Sequence, residues 1–151
     1  MKAAKRWWTP HGGSMVWVAV LMLAIPPMIL VMANGVRLMR AVYAVRSATY
    51  TACQAAAEAA VNARYYRKTG KTRLEPRTAR IAADIWYQDA LADLQRSGVV
   101  SDAHVGVTVR GVTVSCYGSA IYHTWGVPPT TSLEVVPLHY TAETQARIGR
   151  H

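Results

Sequence analysis

Residues 15–32, MVWVAVLMLAIPPMILVM, contain no charged residue, no Asn or Gln and no Gly, and this run limits what the chain can become. At about 1.5 Å per residue, a helix of this length crosses most of a ~30 Å hydrocarbon layer. A buried core helix of the same composition would need a domain able to cover Trp17, Leu21, Leu23, Ile29 and Leu30 on every side, and the remaining chain is too short and too polar for that. Residues 15–34 therefore read as a membrane-spanning segment. Pro26 and Pro27 fall inside it, and because each removes a backbone donor, a kink is expected there.

The flanks set an expected orientation. Residues 1–14 form a basic leader with Lys2, Lys5 and Arg6, and no acidic residue precedes Glu58. A basic leader ahead of an apolar segment favours a cytoplasmic amino terminus, although Arg37, Arg40 and Arg46 on the other side weaken the asymmetry. The apolar core exceeds the roughly 7–15 residues of a cleaved signal peptide, and no small-x-small site follows it directly, so a retained anchor is expected. With 151 residues, 52% of them hydrophobic, a net charge of +9 and two cysteines, the chain is bounded to one anchor and one modest domain, which is marginal on its own.

Past Gly35 no proline or strong turn signal occurs until residues 68–70, so the helix is expected to continue to about Tyr66, with residues 35–68 an extension of the spanning segment. A stripe at Val42, Val45, Thr49, Ala52, Ala56, Ala59 and Ala63 opposes a polar line at Arg40, Ser47, Thr51, Gln54, Glu58 and Asn62. The stripe is made of small side chains, which suits close packing against another helix.

The basic leader, Gly12-Gly13-Ser14, the proline-containing apolar segment and RLMRAVYAVRSATYTACQAAAEAAV together resemble the amino-terminal module of the TadE/TadG-like proteins. These are pilin-like components of tight-adherence (Flp-type) pilus machineries. Arg40, Tyr43, Arg46 and residues 55–60 fall where the family pattern places them, over about the first 65 residues. The glutamate usual early in pilin helices would correspond here to Trp17 or Val18, both apolar. The resemblance implies a structural or assembly role, other pilin-like or pilus-assembly subunits as partners through the small-residue helix face, and Gly12 or Gly13 as a leader-processing position.

Residues 69–151 read as a small extracytoplasmic α+β domain. Pro76 suits the first turn of a second helix and Gly98 its end. That helix has one apolar face at Ala79, Ala83, Trp86, Tyr87, Ala90 and Leu94 and a second at Ile81, Ile85 and Ala92, a pattern expected of a helix sandwiched between other elements, with Trp86 and Tyr87 in the core. The period then changes to two. If Arg110-Gly111 is a two-residue turn, Val109 faces Val112, Val107 faces Val114 and Val105 faces Cys116. Residues 132–143 offer a third strand, with Pro137 expected at a sheet edge. The fold class is thus membrane-anchored, pilin-like α+β: a long amino-terminal helix, a second helix packed on it and a small antiparallel sheet.

Cys53 lies on the small-residue face of the long helix and Cys116 on the valine face of the hairpin, so both are expected to point inward and form a disulfide. Arg64, Arg67, Lys68, Lys71, Arg73 and Arg77, with Arg80, form the only dense basic cluster, read first as a solvated connector and otherwise as a contact surface for a polyanion. The histidines lack metal-site spacing, Asp89 and Asp93 lack a cleft, and no Gly-x-Ser-x-Gly or phosphate loop is present. No catalytic, cofactor or metal site is expected. Two functional classes follow: a pilin-like structural component held in membrane lipid, or a membrane-anchored module binding nucleic acid or an anionic envelope polymer.

Overall fold

The computed structural model describes residues 10–61, 73–126 and 135–146, with side chains from residue 15 onward. Among these residues, two helices and three strands follow in order: α1 (Pro10–Ala59), α2 (Pro76–Arg96), β1 (Val100–Arg110), β2 (Thr113–His123) and β3 (Val135–Gln145). The chain divides into two compact units, Met1–Val36 and Arg37–His151.

In the first unit α1 passes through Pro26 and Pro27 as one helix. Its side chains from Met15 to Ile29 are all exposed, and the most apolar 18-residue window has a mean hydropathy of 2.5 with none of it buried. The helix is long and apolar enough to cross a membrane.

In the second unit the strands form an antiparallel sheet in the order β1-β2-β3. The inner face buries Ala103 and Val107 of β1, Val114, Cys116, Ala120 and Tyr122 of β2, and Leu138 and Ala142 of β3. Both helices contribute to this core. Over the sheet, Cys53 Sγ of α1 lies 3.4 Å from the Val114 carbonyl oxygen and 3.5 Å from that of Ala142. Ala79, Ala83, Tyr87 and Leu91, one turn apart on a single face of α2, are buried in the same cluster. The second unit is thus the α+β arrangement expected, with Pro137 on the edge strand β3.

Helix α1 stops earlier than its Ala-rich sequence suggests. Ala60 N–H still bonds the Ala56 carbonyl, but the Ala60 carbonyl accepts from Glu75 N–H at 2.9 Å and Val61 pairs with Leu74. Tertiary pairing has overridden helix propensity. The buried stripe also departs from the expected one: Val45, Thr49, Ala52 and Ala56 are buried, Val42 and Ala59 are exposed, and Ala41, Ala48, Cys53, Ala57 and Ala60 take their places. Ala63, Asn62 and Tyr66 lie outside the described residues.

Helix α2 ends in a Schellman motif: Val99 N–H bonds the Leu94 carbonyl, Gly98 N–H bonds that of Gln95, and Gly98 has φ +66°. An L side chain is strained at that φ, so Gly98→Ala is expected to cost about 1 kcal/mol in chemical denaturation. The second apolar face of α2 is not sandwiched. Ile81 and Ile85 are exposed, and so is Trp86, which the sequence had placed in the core. At 100° per residue Trp86 falls on the flank of the stripe Ala79-Ala83-Tyr87.

The hairpin register differs by two residues from the expected one. Arg110 pairs with Thr113, Val109 with Val114 and Val107 with Cys116, leaving Gly111-Val112 as the turn. The left-handed position falls on Gly111, at φ +62°, the pattern of a type II′ turn with Gly first; a turn beginning at Arg110 would have put Arg there. A slip of two preserves the face of every side chain, so Val107, Val114 and Cys116 still point inward. A bulge between Ser101 and His104 puts Asp102 at φ +48°. The Gln88 side chain of α2 donates to the Ala103 carbonyl there, at 2.7 Å.

Candidate functional site

Cys53 and Cys116 form a disulfide, with Cα atoms 5.5 Å apart and both residues buried. It joins α1 to the central strand. One turn before Cys53 along α1, Thr49 meets Tyr87 of α2 above Gly118 of β2. The Thr49 hydroxyl donates to the Val45 carbonyl at 2.7 Å, and the Tyr87 hydroxyl donates to the Ser119 carbonyl at 3.1 Å. Burial pushes the Tyr87 phenol up to about 12, with the nearby Thr49 hydroxyl acting in the opposite direction. Because the folded value exceeds the unfolded one of about 10, this tyrosine's contribution is fully present below pH 10 and is lost as pH rises toward 12. In alkaline denaturation, wild type is expected to lose on the order of 2 kcal/mol across that window that Tyr87→Phe does not lose.

Of the basic cluster, Arg73 and Arg77 are exposed, while Arg64, Arg67, Lys68 and Lys71 lie outside the described residues. Gly12 and Gly13 have helical backbone in the first turns of α1. The small-residue face is committed within the chain: Ala41, Ala48, Ala52, Ala56 and Ala60 are buried in the core of their own unit. From Ala41 onward, it is the opposite face of α1 that stays uncovered.

That opposite face carries a cluster the sequence reasoning missed as a site. Tyr43, Arg46, Ser47 and Tyr50 of α1 and Tyr140 of β3 line a groove of about 500 Å³. The Arg46 guanidinium sits 5.4 Å from the Tyr140 ring centroid, and its Nε donates to the Tyr140 hydroxyl at 3.2 Å. Among the described residues, the groove lining contains no carboxylate. The signal was available as Tyr at i−3 and i+4 around an arginine, one exposed helical face.

On the outer face of the sheet Tyr117 and His139 stack at 5.6 Å and share a 2.7 Å hydrogen bond, and Ser115 donates to Glu143. Asp93 pairs with Arg96 at 3.3 Å. No group of three His, Cys, Asp or Glu positioned to hold a metal occurs among the described residues. Compared with protein-family models, curated proteins and solved structures, the chain has no significant match.

Proposed function

We propose that this protein is a non-enzymatic, pilin-like structural or assembly component of a tight-adherence pilus or related secretion machinery. It is anchored by residues 15–34, with its amino terminus in the cytoplasm and the Arg37–His151 unit outside. The observation that carries the reading is that one helix serves both ends. Its first half is apolar and exposed, as a lipid-embedded segment must be, and the same helix supplies the scaffold face of a disulfide-closed α+β unit. A disulfide fits an oxidising compartment. Orientation is read by fusing a reporter after His151: activity only on the outer side of the membrane is expected, and cytoplasmic activity would reverse the topology. The role itself is tested by deleting the gene in its host. Loss of the surface appendage, restored by the intact chain, is expected; normal appendages together with lost, salt-sensitive DNA or envelope-polymer binding would favour the polyanion-binding module instead.

A further inference from the structure

We propose that the Arg37–His151 unit associates head to tail with further copies of itself, the Tyr43–Arg46–Tyr50 face of α1 in one copy receiving the Ile85–Trp86–Asp89 face of α2 in the next. The inference deepens the structural role proposed above and rests on it.

Two uncovered surfaces of opposite character lie on this one unit. The first is aromatic and basic. Tyr43 is 65% and Tyr50 59% exposed, and between them Arg46 is held by the ring and hydroxyl of Tyr140, with no carboxylate among the described residues of the groove. The second is apolar and acidic. On α2, Ile85 is 61% exposed, opposite the buried stripe Ala79-Ala83-Tyr87-Leu91, and Trp86 is 51% exposed on the flank of that stripe. Asp89 follows Ile85 by one turn and is exposed, whereas Asp93 is neutralised by Arg96. By the 100° advance per residue, Arg77 and Arg80 fall on the opposite flank from Trp86, so Asp89 gives this face its charge.

Tyr, Trp and Arg are the residues that dominate interface energetics when a partner desolvates them. The first face offers an oriented cation between aromatic rings; the second offers an indole, an isoleucine and an unneutralised carboxylate. Because the complementary faces differ, the contact is heterologous, and repetition extends an array rather than closing a two-fold dimer. In a chain of net charge +9, copies repel unless opposite charges are placed locally, and an Arg46–Asp89 contact does this.

The test uses the full chain in a neutral detergent, with self-association followed by sedimentation equilibrium. Arg46→Glu and Asp89→Arg should each weaken association by roughly tenfold or more, through like-charge contact. An equimolar mixture of the two variants should restore it, since each then meets its complement; this recovery also shows that both variants are folded. A monomeric wild type, single variants that associate normally, or a mixture that fails to recover would each overturn the proposal. Piliation of the deleted host by the same variants is scored separately. Full piliation by both would leave the structural role standing without this interface.

Discussion

Replacing Cys53 or Cys116 with serine will lower the unfolding free energy of the Arg37–His151 unit by about 4 kcal/mol. The residues are separated by 63 positions, and closing a loop of that size in the unfolded chain is worth about 4 kcal/mol in the chain-entropy account. Both side chains lie in the core, and a lone serine there would leave a hydroxyl to satisfy, so the loss is not smaller for being polar. A destabilisation of this size is a large part of what a unit this small can have. The check is chemical denaturation of wild type with and without reductant beside both serine variants. Reduced wild type should fall to nearly the stability of the variants, and the variants themselves should be indifferent to reductant.

Gly118→Ala is the second large effect, and it has a different origin. A Cβ at position 118 would overlap the Thr49 hydroxyl and stand 3.1 Å from both Thr49 Cβ and Tyr87 Cε2. Neither neighbour yields easily. Thr49 is β-branched and bonded to the Val45 carbonyl, while Tyr87 is buried and bonded to Ser119. Overpacking at such a junction costs about 3 kcal/mol. Thr49→Ala removes the overlapping oxygen, so the Gly118→Ala/Thr49→Ala double variant should be more stable than the sum of the single losses implies, with a coupling of about 1 kcal/mol or more in a double-mutant cycle.

These two positions show where sequence reasoning reaches and where it stops. The disulfide was legible because both cysteines fell on inward faces defined by periodicity, and those faces survived errors elsewhere: the hairpin register was two residues off, a slip that leaves every face unchanged. Gly118 was not legible. A glycine inside a strand signals a close approach but does not say of what, and only the crossing of Thr49 and Tyr87 over β2 supplies the answer. The end of α1 was misjudged because residues 55–60 are nearly all alanine, whereas the pairing of Val61 with Leu74 that ends the helix is non-local. Trp86 is large and apolar enough to suggest a core position, but its azimuth lies beside the buried stripe, and angle rather than hydrophobicity decides its exposure. The bulge at Asp102 had no advance sign beyond the tolerance of Asp for a left-handed backbone.

The link between Cys53 and Cys116 also fixes how the chain responds to a pulling force. Tension entering along α1 reaches Cys53 and passes through a covalent bond directly into the central strand, bypassing the chain between the cysteines. A segment of 63 residues, about 210 Å when fully extended, is thereby removed from what force can unravel. In single-molecule stretching the oxidised protein should lengthen on rupture by only the portions outside this loop, and addition of reductant should release the hidden length. Wired in this way, the second unit would carry tension as a clamp: its helices and strands can loosen under strain while the covalent path from α1 to the central strand stays unbroken.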